Sequence, residues 1–155
     1  MKRIVLYLLL TVQVLGLVAL YAWQAQTPGP RYLLHTRPVD PRDLLRGDYV
    51  TLGYDISTPP KGWTPPEQGG RTFFVRLKPA GRFWEIDRIA DVPEPDGAPW
   101  LRANWNGSRL DYGIGKYFVP EGQGNPPGKI TVEIGIRSGG EARILQLYSD
   151  DRPWP

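Results

Sequence analysis

Residues 4–23, IVLYLLLTVQVLGLVALYAW, carry no charge and include only Thr11 and Gln13 as clearly polar side chains. As a helix, such a run measures roughly 30 Å, the thickness of a bilayer's hydrocarbon core. A helix that is apolar all round has no face to turn to water, which argues against a surface helix of a small soluble domain. The run predicts a transmembrane anchor over residues 1–23, with residues 4–23 in contact with membrane lipid. Lys2 and Arg3 precede it and the next basic residue is Arg31, a bias that places the N-terminus in the cytoplasm and the rest of the chain outside. A cleaved signal peptide would share the basic tip. Cleavage, however, asks for small residues in an A-x-A arrangement, and in YAWQAQ Trp23 occupies one of those places before Ala25.

Residues 24–30, QAQTPGP, form a linker by composition, and residues 31–155 read as one extracytoplasmic β domain. The period of two that marks a half-buried strand recurs along it. Tyr32 and Leu34 suggest a first strand over 31–36, and Val50, Leu52, Tyr54 and Ile56 alternate with polar or small neighbours. Phe73, Val75 and Leu77 face one way within 71–78, and the PAG that follows predicts a hairpin into RFWEIDRIAD, with Trp84 and Ile86 in the core. Asn106-Gly107 predicts a turn within 100–113. Over 130–136 the apolar residues Ile130, Val132, Ile134 and Ile136 are expected inward against Thr131, Glu133 and Arg137 outward, with Ser138-Gly139-Gly140 turning the chain into EARILQLYS. Residues 57–70 and 91–99 are too rich in Pro and Gly for helix or sheet interior. The whole predicts a mainly antiparallel β domain, as a sandwich or a partly open barrel, behind one N-terminal transmembrane helix.

Between the first strand and Ile56 lies PVDPRDLLRGDYVTLGYDI. Asp40 is a good N-cap, Pro41 fits the first helical position, Asp43 follows three residues after the cap and Gly47 can take the left-handed conformation past the end. These signals predict one helical turn over 41–46. Asp48 then stands on the apolar side of a strand, where a carboxylate needs a backbone N–H or an arginine; Arg42 and Arg46 are the nearest. A second stretch follows far downstream, with Tyr112, Gly113, Ile114, Lys116, Tyr117, Phe118, Val119, Pro120, Glu121, Gly122, Gln123 and Gly124. Gly47, Asp48, Tyr49, Leu52 and Tyr54, together with this second stretch, resemble the GDYXXLXY family of bacterial membrane-anchored proteins over nearly the whole chain. The resemblance implies the bacterial cytoplasmic (inner) membrane and a place beside a multi-pass membrane protein, and it brings no reaction with it. It also leads one to expect a charged stretch after Gly124, where this chain has Asn125, Pro126, Pro127 and Gly128.

Cysteine is absent, which excludes disulfides, thiolate metal sites, a cysteine nucleophile and a lipid-acylated cysteine. Of 19 basic residues two belong to the N-terminal tip, leaving 17 against 16 acidic ones. Those charges are dispersed, and nucleic acid, which asks for a clustered positive face, is not an expected partner. His35 is the single histidine and has no second histidine to build a metal set, so neither metal nor cofactor is expected. Asp40, Asp43, Asp48 and Glu121 are the candidate carboxylates. Their structural roles are caps and ion pairs, and their chemical role would be an acid and base pair or a divalent-ion site. PRDLLRGDYV is also similar to a segment of signal peptidases, but Val39 and Asp40 stand where that family needs Ser and Met. Trp63 and Trp154, in Pro-rich segments, are candidates either for holding a glycan or peptide or for lids folded back on a sheet.

The functional expectation is a non-catalytic accessory domain, tethered outside the cytoplasm and docking a multi-pass membrane protein. Its candidate interaction residues are Asp40, Arg42, Asp43, Arg46, Gly47, Asp48, Tyr49, Leu52, Tyr54, Tyr117, Glu121, Gly122, Gln123 and Gly124. The alternative is an envelope hydrolase or ligand-binding module using Asp48 and Glu121; the ligand itself is not named by the sequence.

Overall fold

The computed structural model describes residues 2–26, 29–37, 49–120 and 128–154. The chain opens with α1 (Lys2–Gln26), 25 residues and about 37 Å long. Its side chains are described at residue 7 and over 9–22, and across the described residues no helix is long and apolar enough to cross a membrane. Among those described side chains ten large apolar ones are exposed, from 49% at Leu10 to 75% at Tyr21. The exposed Thr11 hydroxyl is satisfied within the helix, donating to the Tyr7 carbonyl at 2.9 Å.

The β domain begins with β1 (Arg31–Arg37), then β2 (Tyr49–Thr51), β3 (Gly53–Tyr54) and a 3₁₀ turn (Asp55–Ser57). There follow β4 (Arg71–Ala80), β5 (Phe83–Ala90), β6 (Trp100–Trp105), β7 (Leu110–Asp111), β8 (Lys116–Phe118), β9 (Ile130–Ile136), β10 (Ala142–Ser149) and β11 (Arg152–Trp154). Every described pairing is antiparallel. One sheet runs β11-β10-β9-β1-β3, a second β5-β4-β6-β7, and β2 with β8 forms a ribbon of its own. Leu34, Val132, Ile134 and Leu147 from the first sheet meet Val75, Leu77, Leu101 and Leu110 from the second in one core, all at 2% exposure or less. Two sheets sharing one core is the arrangement of a β-sandwich. Tyr32 meets Trp84 edge to face at 4.9 Å, and Arg102 N–H donates to the Gly140 carbonyl at 2.7 Å, so the sheets are also joined by the backbone.

The alternation of Val50, Leu52, Tyr54 and Ile56 is present as burial, since all four are at 6% exposure or less. A single strand does not carry it. β2 pairs with β8, β3 pairs with β1, and a 3₁₀ turn takes over at Asp55, so this one run serves two sheets. The β4–β5 turn falls at Gly81–Arg82, where Gly81 has a φ of +65°, because Pro79 and Ala80 still pair with Trp84 and Phe83. Thr131, expected outward, is 4% exposed. Its strand lies between β1 and β10, His35 and Tyr148 flank it in register, and the His35 ring stacks on Phe83 from the β5 end, so Thr131 is enclosed by its neighbours on that face. β11 carries no alternation long enough to predict it. It is formed by the turn at Asp150 and Asp151, whose φ angles of +46° and +65° give the primed geometry that joins two-residue hairpins.

Candidate functional site

The two motif stretches, about sixty residues apart in sequence, meet. Tyr49 faces Phe118, Val50 faces Tyr117 and Thr51 faces Lys116 along the β2–β8 ribbon. Beyond the ladder, Leu52 N–H donates to the Gly115 carbonyl at 2.9 Å. Two tyrosines then lock the segments reciprocally. The Tyr54 hydroxyl donates to the Ile114 carbonyl at 2.8 Å, and the Tyr112 hydroxyl donates to the Ile56 carbonyl at 2.6 Å. Each motif thus sends one buried phenol into the other's backbone. Burial raises the pKa of both well above the ordinary tyrosine value, so both stay protonated donors. Such groups hold structure and offer no acid or base near neutral pH.

What the ribbon turns outward is different. The Phe118 side chain is 75% exposed and lies edge-on to Tyr49 with ring centroids 6.2 Å apart. Lys116 Nζ sits 4.9 Å from the centre of the Tyr49 ring, a cation–π contact. Beside this face, between Thr51–Tyr54 and Arg109–Lys116, runs a groove of about 340 Å³ lined by residues of both stretches. The chemistry available is an aromatic face with one cation, suited to an apolar or aromatic partner surface.

Of the sequence-derived site, Tyr49, Leu52, Tyr54 and Tyr117 are placed here. Leu52 and Tyr54 are core residues, and Tyr117 is half-buried against the core. Asp40, Arg42, Asp43, Arg46, Gly47 and Asp48, the helical turn over 41–46, and Glu121, Gly122, Gln123 and Gly124 lie outside the described residues. A shared site of Asp48 and Glu121 lies outside them too. Among the described residues no group of three His, Asp or Glu side chains could hold a metal ion. Trp63 is half-buried, edge-on to Phe73 at 5.3 Å and to Trp105 at 5.4 Å, and Trp154 packs on the core from β11. Both are the lids of the two alternatives weighed for them. His35 stacks on Phe83. Sequence reasoning missed the clasp made by Tyr112 and the outward turn of Phe118; the alternation Lys116, Tyr117, Phe118 against a core-facing Val50 is the signal for the latter.

The model of the GDYXXLXY protein family matches residues 11–147. No curated protein and no solved structure matches the chain.

Proposed function

We propose that this chain, which belongs to the GDYXXLXY family, is a membrane-tethered accessory domain that docks a multi-pass membrane protein outside the cytoplasm through the outward face of the β2–β8 ribbon. One observation carries the reading. The ten exposed apolar side chains of α1 point to every side of the helix, and leaving them in water forgoes about 1–2 kcal/mol each. A helix of that kind seeks lipid or an apolar protein surface. The whole helical run, at 25 residues, is of the length that spans, and Lys2 and Arg3 at its start favour a cytoplasmic tip. Tethering then raises the local concentration of a weak partner to the millimolar range without any new contact. Tyr49, Lys116 and Phe118 supply an apolar contact with a charged rim.

The test has two arms. A topology reporter fused after Pro155 should be active only on the outer side of the membrane. A photo-crosslinking residue at Phe118 should join the full chain, in native membranes, to a polytopic protein identified by mass spectrometry. A cytosolic reporter, or a Phe118 position that yields only monomer while a buried-position control behaves identically, refutes the reading.

A further inference from the structure

The outer face of the five-stranded sheet holds a second group of ionisable side chains, away from the motif ribbon. Arg31 on β1, Glu133 on β9 and Tyr148 on β10 line a cleft of about 420 Å³, closed at its side by Arg82 from the β4–β5 turn and Asp151 from the β10–β11 turn. Leu33 and Trp84 give it an apolar wall. The volume is in the range of small-ligand sites.

Glu133 is the central group. Its side chain is 12% exposed, so its charge needs partners, and it has two: Arg31 Nη1 at 2.9 Å from Oε1, and the Tyr148 hydroxyl donating to Oε2 at 2.6 Å. The second bond holds the phenol proton and raises the Tyr148 pKa. Across the cleft Arg82 Nη2 lies 2.7 Å from Asp151 Oδ1, with both side chains more than half exposed. The Thr131 hydroxyl, buried without a partner among the described residues, belongs to the same sheet face, beside Tyr148 in register.

Two cations and two anions leave the lining without net charge. Such a lining gathers neither simple anions nor simple cations, but it matches a molecule that carries both signs. Among the described residues each guanidinium spends one nitrogen on its carboxylate, which leaves N–H groups of the planar fork for an oxyanion, the geometry that suits phosphate. Glu133 and Asp151 are correspondingly acceptors for an ammonium with N–H donors. Arg31 opens β1 five residues after Gln26, so at most about 18 Å of extended chain separates the cleft from the end of α1.

We propose that this cleft receives the phosphoethanolamine headgroup of a bilayer lipid, with the phosphodiester on Arg31 and Arg82 and the primary ammonium on Glu133 and Asp151. The lipid source rests on the tethered reading above, whereas the chemistry of recognition does not. Glycerophosphoethanolamine, titrated into the full chain in uncharged detergent micelles and followed by chemical-shift changes at residues 31–35 and 81–84, should bind at least about fivefold more tightly than glycerophosphocholine, whose quaternary ammonium has no N–H to donate. Asp151→Asn should remove most of that preference. Asn tolerates the positive φ at this position, so the turn survives the change. Glu133→Gln should do the same, and Asp151→Asn stands alone as the test should Glu133→Gln fold poorly. Equal affinity for the ethanolamine and choline forms, or a preference untouched by Asp151→Asn, overturns the proposal. In nanodiscs the soluble headgroup should saturate the cleft when the disc lacks phosphatidylethanolamine and fail to do so when the disc contains it. Equal saturation in both discs refutes the lipid source. A cytosolic reporter together with a fivefold preference in micelles would refute the outward placement alone.

Discussion

Tyr54→Phe removes one hydroxyl and leaves the ring that fills the core. The lost bond, 2.8 Å to the Ile114 carbonyl, is made by a side chain 4% exposed, so water does not replace it. A buried hydrogen bond of this kind contributes about 1 kcal/mol net, and a carbonyl left short adds to the loss, for a total of about 1–2 kcal/mol. In a domain of this size that lowers Tm by roughly 4–8 °C. Tyr112→Phe, which deletes the 2.6 Å bond to the Ile56 carbonyl, should cost a similar amount. Both bonds hold the same pair of segments, so the double variant should lose less than the two single losses together, by about 0.5 kcal/mol or more. The pH dependence has a definite sign. An unfolded tyrosine ionises near the ordinary tyrosine value of about 10, while burial keeps both folded phenols protonated above it. Their stabilisation is therefore complete below that pH and is lost as pH rises beyond it, at about 1.4 kcal/mol per pH unit for each tyrosine. Tyr54→Phe should flatten the alkaline slope by that amount. Unfolding of the full chain in detergent micelles, followed by tryptophan near-UV circular dichroism between pH 7 and 11, measures all three quantities. A Tyr54→Phe variant within about 0.3 kcal/mol of the parent, or strictly additive losses, refutes the clasp.

Gly140→Ala should destabilise by about 1–3 kcal/mol in the same assay, because Gly140 has a φ of +80° and an added Cβ would stand 3.1 Å from Arg102 N and 3.2 Å from the Trp100 carbonyl. Gly139→Ala, with nothing within 4 Å of the new carbon, is its control and should stay within about 0.5 kcal/mol of the parent. Trp63→Ala should cost about 1–3 kcal/mol through its lost contacts with Phe73 and Trp105; an unchanged unfolding midpoint would show that the ring does not serve as a lid. Leu15→Lys combined with Val18→Lys places two charges mid-helix, each disfavoured in hydrocarbon by about 3 kcal/mol, and should move the chain out of the alkaline-carbonate-resistant membrane pellet. Retention of that variant in the pellet would refute a lipid-spanning α1.

Much of the β domain was legible because its strands advertise one buried face. Phe73, Val75 and Leu77 repeat every second residue and are the inward set of β4; Val132 and Ile134 do the same for β9. Alternation reports one face only, and so it misjudged Thr131, whose burial depends on its cross-strand neighbours His35 and Tyr148 and on the Phe83 ring stacked on His35. It also misjudged the run from Val50 to Ile56. Side-chain period is the same whether one strand continues or two short ones succeed each other, and only the partners, β8 and then β1, divide them. β11 was invisible for a third reason: its turn uses Asp150 and Asp151 at positive φ where a sequence signal would have shown Asn or Gly. Of the candidate site residues, Tyr49, Leu52, Tyr54 and Tyr117 fall among the described ones. That the two motif stretches belong together followed from resemblance, but their register, and the outward turn of Phe118 and Lys116, are long-range facts.

The letters that name the family divide by what they touch. Leu52 and Tyr54 are core residues, one giving its N–H to Gly115 and the other its hydroxyl to Ile114, so this part of the motif specifies a scaffold: it fixes how the ribbon joins the sandwich. Tyr49 alone among the described letters has a ring on the open side, and there it meets Phe118 and Lys116 from the other motif. An isolated exposed aromatic is ordinary on any protein surface. On the docking reading proposed above, an aromatic pair and a cation set opposite one another on a ribbon whose inner side is fixed by two buried tyrosines would serve as a presented surface, because the rigidity that would otherwise cost binding free energy is already built in by folding. Loss of the clasp and loss of the exposed face therefore have separable consequences. On the same docking reading, Tyr54→Phe should weaken the fold and, through it, the interaction, whereas Phe118→Ala should leave the unfolding midpoint unchanged and abolish a crosslink made from a photo-crosslinking residue at Thr51 on the same face, since a side chain 75% exposed contributes little to the core it does not enter.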